Sequence, residues 1–349
     1  VGGEVDELKN VHPLILKAEM AALGLQTKFK HSDALGKDDP EHIKKVAQKI
    51  KERGLYVSVD TRGTSFEHLS HMLDVADMLG ADLLRTFVMG GNSFSHTNLV
   101  GEFSQEGMDQ AYEELKKIVP LCEKKRIKLA IENHCAETMT EVMDLVNRVD
   151  SRWVGVLFDY GNAIPVYEDP ICDEYIPGEY EIRPYYDNNY CYVISRMPGG
   201  RNFDVQIDFL KEVGEKLFGV HLKDQVICKT GEENELEYCM SETGVGEGAC
   251  DVIGLSKYIM EHPTLGRLNV EASFPYAGRF TRPVGTGGVT KLGEGAFSLA
   301  EPPMPMEKVK PLHYYSYGGE YLDEMIEMQM SSLRRGLAYL HRMRDEFEK

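Results

Sequence analysis

The sequence predicts a (β/α)8 TIM barrel with insertions after strands six and eight, and three observations carry that expectation. Short β-rich runs alternate with amphipathic helical stretches, the order that gives a parallel sheet with right-handed crossovers. Four successive β-rich runs end in a carboxylate or an imidazole, and the C-terminal ends of barrel strands are where such folds carry their chemistry. The length, 349 residues, suits one barrel with insertions. A doubly wound open sheet is the competing architecture, and the placement of the charges favours the barrel.

Taken in chain order, the expected strands are 25–30, 55–60, 82–88, 128–134, 154–159, 218–223 and 268–272. The expected helices are 13–23, 40–53, 65–79, 106–124, 138–149, 205–216 and 253–261, with a long final helix at 320–348. Glycines close several helices, at Gly24, Gly54 and Gly80, where a left-handed residue ends a helix without strain. Only seven strands are visible. A first strand is expected upstream of Val1 or within the opening residues, so the visible strands are numbered two to eight. Two segments break the rhythm. Residues 164–202, after strand six, are rich in Tyr, Pro and acidic side chains, and residues 275–319, after strand eight, are rich in Gly and Pro. Both leave from strand C-termini, the functional face of a barrel; as plain surface decoration they would carry no function. The whole of 1–349 reads as a single barrel domain.

Composition narrows the function classes. Hydrophobic residues make up 42% of the chain, enough for a sizeable core. The net charge of −18 repels phosphate backbones and argues against a nucleic-acid partner. Seven cysteines, an odd number with no CxxC pair, argue against a disulfide framework or a four-cysteine zinc site. Reduced thiols and a cytoplasmic setting are the expectation. No apolar run is long enough for a membrane span, and no signal peptide is visible.

A barrel strand is buried on both faces and should read as continuously apolar, so charges at its end need a reason. Strand five ends Ile131-Glu132-Asn133-His134, strand six Leu157-Phe158-Asp159, strand seven Val220-His221-Leu222-Lys223, and strand eight Val270-Glu271. Neighbouring strands lie about 4.8 Å apart, so four consecutive ends can converge on one ion. Three carboxylates and an imidazole make a hard, oxygen-rich set that suits Mn²⁺ first, with Mg²⁺, Co²⁺, Zn²⁺ or Fe²⁺ also compatible. The competing reading for each residue alone is a rim salt bridge; four in order weigh against it.

Strand alternation puts His134 on the face of Glu132, where it is either a general base or a hydrogen-bonding support. By the same logic Lys223 shares a face with His221 and either holds a substrate oxygen or pairs with Asp224 or a nearby Glu. Arg85, Lys28 and Lys30 are basic groups at other strand ends that either grip substrate hydroxyls or balance the acids. Asn162 sits where the chain leaves strand six, within reach of the pocket. The run Gly244-Val245-Gly246-Glu247-Gly248 lacks the Lys-Ser/Thr of a phosphate loop and reads as a flexible turn near the site, with Asp251 placed to cap the next helix.

At these strand ends the chain resembles the xylose-isomerase-like barrel superfamily, which contains sugar epimerases, inosose dehydratase, hydroxypyruvate isomerase and endonuclease IV. The resemblance covers about 13–273 and rests on Ala130-Ile131-Glu132-Asn133-His134, Phe158-Asp159-Tyr160-Gly161-Asn162, Gly219-Val220-His221-Leu222-Lys223-Asp224, the glycine run at 244–248 and Val270-Glu271. It implies that Glu132, Asp159, His221 and Glu271 are the metal ligands. Inosose dehydratases and endonuclease IV usually carry His three places after the strand-six Asp; Asn162 stands there, which argues against a multi-zinc nuclease. Within the superfamily the chain looks most like the α subunits of bacterial C-glycoside deglycosidases, through Lys28-Phe29-Lys30-His31-Ser32-Asp33, the Glu-Asn-His strand end and the insertion after strand six. That likeness implies a metal-dependent lyase cleaving the C–C bond of a 3-oxo-glucosyl aromatic compound, His134 as catalytic base, and a small β subunit in a hetero-oligomer.

The expected chemistry is abstraction of the proton next to a ketone. Elimination of a β leaving group then makes a lyase, whereas reprotonation makes a ketose epimerase or isomerase. A non-catalytic sugar-binding barrel is the third reading, disfavoured by the intact ligand set. The Tyr-rich insertions also suit a protein partner, against the alternative of packing on their own barrel or on a second copy of it.

Overall fold

In the computed structural model the described residues are 39–88, 105–134, 137, 139–162, 180–184, 191–195, 210–230, 237–246, 252–262, 265, 269–271, 277–279 and 322–347. The first half alternates without interruption: α1 (Pro40–Glu52), β1 (Val59–Asp60), α2 (Phe66–Leu79), β2 (Leu83–Thr86), α3 (Gln105–Lys125), β3 (Lys128–Glu132), α4 (Met139–Val149) and β4 (Val154–Asp159). A hairpin of β5 (Tyr180–Pro184) and β6 (Cys191–Ser195) follows, then β7 (Leu217–Leu222), β8 (Asp224–Thr230), β9 (Glu237–Thr243), α5 (Val252–Met260), β10 (Asn269–Val270), β11 (Ala277–Arg279) and α6 (Leu322–Phe347).

Local chemistry explains the helix ends. Pro40 opens α1, and the Asp39 side chain accepts the Glu41 N–H at 3.1 Å, satisfying one of the donors a helix start leaves over. Gly80 ends α2 in the left-handed region at φ 76°, where a side chain would be strained. The apolar residues of α2 recur at helical spacing, so Leu69, Leu73 and Ala76 share one buried stripe.

The strands β1, β2, β3, β4, β7 and β10 form one parallel sheet in that order, curled as half of a barrel. Successive side chains point to opposite faces. Leu84, Ile131, Val156, Phe158 and Val220 face the helices and join the main core with Leu69, Leu73, Val142 and Val146. Leu83, Ala130, Leu157 and Phe218 form a separate cluster on the concave side. At Gly155 the fold leaves room for no side chain: an added Cβ would run into the Lys216 carbonyl oxygen and lie 2.6 Å from Phe218 Cε2. The register slips between Val156 and Leu157 against β7, and Phe218 fills the space over Gly155.

Element boundaries agree with the sequence expectation to within a few residues, with instructive exceptions. Strand five ends at Glu132, not at His134, because the chain leaves the ladder there. Strands three and eight shrink to Val59–Asp60 and Asn269–Val270. The expected helix 205–216 is described only at its end, where 210–213 are helical and Gly214–Lys216 form a 3-10 turn. The expected helix 13–23, the strand 25–30 with Lys28 and Lys30, and Asp251 lie outside the described residues, so the strand count stands at six parallel strands among those described.

Unanticipated from sequence is a three-stranded antiparallel sheet, β11-β9-β8, which ties the segment after β7 to the segment after β10. The glycine run read as a flexible turn is held at its start. Gly246 donates its N–H to Asp224 Oδ2 at 2.9 Å, and α6 packs on it, Gly336 admitting Val245 and the Tyr339 ring covering Gly246. No helix of the described residues is long and apolar enough to cross a membrane.

Gly155→Ala forces Phe218 or the Lys216 carbonyl to move. It should lower stability by about 1–3 kcal/mol, the usual cost of overpacking a core, read as a lowered midpoint in urea with an unchanged slope.

Candidate metal centre

The concave face that holds Leu83, Ala130 and Leu157 continues two residues later into Arg85, Glu132 and Asp159. On β7, Gly219 lies against Leu157 and Leu83, and two residues on stands His221. The register puts Asp159 opposite His221 and Asn269 opposite His221 on its other side, with Glu271 two residues beyond Asn269. The backbone follows the ladder past β10, for the Glu271 N–H reaches the Leu222 carbonyl at 3.1 Å.

The result is a buried cluster of the four residues expected to ligate a metal. One donor atom from each of Glu132, Asp159, His221 and Glu271 lies within 4.8 Å of all the others. His221 presents Nδ1, at 3.2 Å from Glu132 Oε1, 3.0 Å from Glu271 Oε2 and 3.8 Å from Asp159 Oδ2. Ligands about 2.0–2.4 Å from one ion are at most about 4–5 Å apart, so this spacing fits a single divalent ion.

Two cations share the volume. Arg85 forms an ion pair with Glu132 Oε2, both side chains being buried. Lys223 Nζ lies 3.6 Å from Glu271 and 3.9 Å from Asp159. It also donates to Asn162 Oδ1 at 3.3 Å. Asn162 in turn donates through Nδ2 to Glu132 Oε1 at 3.4 Å, and its backbone N–H caps Asp159 Oδ1 at 2.9 Å. Fully ionised, three carboxylates outnumber the two permanent cations, and His221 balances them only when it is protonated. Burial, with the Glu271 charge adding to it, pushes the Asp159 carboxyl up to about 7 against the pull of Lys223 and His221. Burial also pushes Glu271 upward, but Lys223, the His221 hydrogen bond and Arg85 outweigh it and hold that carboxyl well below its ordinary range. Asp159 Oδ2 accepts no hydrogen bond among the described residues. A cluster short of positive charge, with a carboxylate oxygen left over, is what a divalent cation would complete.

His134 lies just past the end of β3 and keeps part of its surface exposed. Its ring stacks on Phe87 with centroids 3.9 Å apart and planes 9° from parallel, while the Arg85 guanidinium sits 4.9 Å from the Phe87 ring centre. Burial, then the charges of Arg85 and Lys223, hold the imidazole well below its ordinary pKa, which favours its neutral form. Sequence reasoning missed Phe87 and Asn133. Phe87 belonged to an apolar strand end with no polar signal, whereas Asn133 stood inside the quoted motif as a buried amide at a strand end, which is a signal of its own.

If these four residues hold the ion, Glu132→Ala and Glu271→Ala should each leave well under one divalent ion per chain after dialysis, against one for the parent, by elemental analysis. Full retention in both variants would overturn the assignment.

A family model described as Xylose isomerase-like TIM barrel matches residues 18–261. The 3-oxo-isoapionate decarboxylase of Pectobacterium atrosepticum is 27% identical over 131 residues, 38% of this chain and 44% of that enzyme; the match thus spans less than half of that relative. Among solved structures, a D-psicose 3-epimerase in the presence of D-fructose has a TM-score of 0.45 at 14% identity, covering 88% of this chain and 90% of that one. A xylose isomerase-like TIM barrel protein from Mycobacterium smegmatis in complex with magnesium has a TM-score of 0.46 at 14% identity, covering 68% and 72%. Since the family model spans well over half of the sequence, the chain belongs to the xylose isomerase-like TIM barrel family.

Proposed function

We propose that the chain is a metal-dependent carbon–carbon lyase acting on a 3-oxo-C-glycoside; the observation that supports its first proton transfer is the placement of a partly exposed His134 beside, and not within, the four-residue cluster. A divalent ion, Mn²⁺ first and Mg²⁺, Co²⁺, Zn²⁺ or Fe²⁺ otherwise, held by Glu132, Asp159, His221 and Glu271 would polarise the substrate ketone and its neighbouring hydroxyl and so acidify the proton between them. His134 takes that proton. The electron pair left on carbon moves toward the ketone oxygen, where negative charge builds, and the Lys223 ammonium faces that oxygen. The pair then returns to form a carbon–carbon double bond as the bond to the aglycone breaks, and the departing aglycone carbon takes up a proton, which balances the one removed by His134 and restores the neutral base. Asn162, hydrogen-bonded to Lys223 and Glu132, and Arg85, on Glu132, orient these groups at the edge of the substrate's hydroxyls. The matched relative's name, a decarboxylase of a 3-oxo compound, is in keeping with C–C bond breakage on a 3-oxo substrate.

The second reading is a ketose or sugar 3-epimerase or isomerase. The enclosure of the cluster favours it: Glu132, Asp159, Asn162 and His221 are fully buried, which suits a small polar ketose. It shares the first proton transfer and differs in returning the proton to carbon. Incubation with a 3-oxo-C-glucoside and Mn²⁺ separates the two. The lyase releases free aglycone; no aglycone, with epimerised ketose formed from a simple sugar, replaces it by the second reading. In whichever assay is active, His134→Ala should lower turnover by at least about 10²-fold, the contribution of a general base, with metal content intact. Loss of the metal in that variant would make His134 a ligand.

The partner proposed with the lyase is a small β subunit seated over the segments after strands six and eight, which together exceed what gripping a substrate needs. Light scattering on the chain alone should then give a poorly active species whose activity rises on adding the second polypeptide. A fully active homo-oligomer would refute the heteromer.

A further inference from the structure

β3 and β4 run in register from Leu129 opposite Val154 to Glu132 opposite Leu157. There β3 stops, while β4 runs on to Asp159. The N–H and C=O of a strand residue point to the same side, and alternate residues point to alternate sides. Asp159, two residues after Leu157, therefore turns both backbone groups toward the side that β3 has vacated, while the Tyr160 N–H turns the other way, to the His221 carbonyl at 3.1 Å. The fully buried Asn133 side chain closes this gap. Its Oδ1 accepts the Asp159 N–H at 2.8 Å, and its Nδ2 donates to the Asp159 carbonyl at 3.0 Å. The amide has only one workable orientation, since a flipped group would set donor against donor and acceptor against acceptor.

We infer that Asn133 is the positioning residue of the metal centre: its side-chain amide replaces the missing strand and fixes the backbone from which the Asp159 carboxylate departs. The reading rests on the four-residue cluster being a metal site. The amide lets the main chain turn away after Glu132 without releasing β4. It thereby ties the Asp159 carboxylate to the segment that carries Glu132 on one side of Asn133 and His134 on the other. Asp159 needs such a fixture because its Oδ1 is committed to the Asn162 N–H and only Oδ2 faces His221 and Lys223.

The test is Mn²⁺ titration by calorimetry on chelator-stripped protein, comparing the parent, Asn133→Ala, the volume-conserving Asn133→Asp, and Ser256→Ala. Ser256 is a buried hydroxyl 3.4 Å from the Tyr160 hydroxyl and serves as a control for general loosening of the core. Groups that orient metal ligands typically contribute roughly 10–100-fold to affinity. Asn133→Ala should bind at least 10-fold more weakly at unchanged stoichiometry, Asn133→Asp should also bind more weakly, and Ser256→Ala should lower the melting temperature with affinity kept. Affinity within twofold of the parent in Asn133→Ala, or in Asn133→Asp should the alanine variant not fold, overturns the inference while leaving the metal site standing. An equal loss in Ser256→Ala overturns it too, by showing that any core loosening has this effect. A parent chain that takes up no Mn²⁺ overturns the metal reading itself.

Discussion

A β-strand turns successive side chains to opposite faces, and the centre of this molecule depends on that two-residue period. Leu83, Ala130 and Leu157 fill the concave side of the sheet, so the next residues of the same parity, Arg85, Glu132 and Asp159, point there as well. The apolar layer thus supplies more than burial. It sets the height at which the ionisable groups emerge, and the parallel register, with Glu132 opposite Leu157 and Asp159 opposite His221, staggers them around a common point. A one-residue slip of any strand would send its carboxylate into the helix-facing core among Ile131, Val156 and Phe158. The slip that does occur, at Val156 and Leu157 against β7, is absorbed below the cluster by Phe218 over Gly155.

Gathering the acids so closely has an electrostatic consequence. Buried carboxylates without matching cations do not stay ionised near neutrality, and beside the permanent charges of Arg85 and Lys223 the third carboxylate is matched only by a proton, on His221 or on the acid itself. The shortfall falls on Asp159, whose carboxyl rises to about 7, while Glu271, with Lys223 and His221 against it, stays strongly acidic. Burial, and then the charges of Arg85 and Lys223, hold the His134 imidazole well below its ordinary pKa.

The barrel architecture and the four-residue cluster were legible in the sequence because a charge at the end of an apolar strand is costly and has few structural explanations. Glu132, Asp159, His221 and Glu271 each carried that signal separately. The hairpin of β8 and β9 was not legible: Lys223 alone separates it from β7, so no turn signal divides the two strands. The end of β3 was misplaced for a related reason. The alternation of Glu132 and His134 is consistent with a strand, and only the partner strand shows that the ladder has stopped at Glu132. Nor could the role of Asn133 be read locally. Its meaning depends on β4 outrunning β3 by two residues, a property of two segments 26 positions apart.

These lengths explain why three consecutive residues can serve three different purposes. Were β3 to continue, Asn133 would face the helices and His134 would stand one further step along the concave face. Because β3 stops, Glu132 keeps its place in the ladder, Asn133 folds inward to replace the strand that is missing, and His134 is free to lie flat on Phe87 at the rim of the cluster. The ring keeps some exposure there, as the proposed base would need, and the aromatic stack fixes its plane. This inner constellation is compatible with either outcome, loss of a leaving group or return of the proton, since both begin with the same proton transfer.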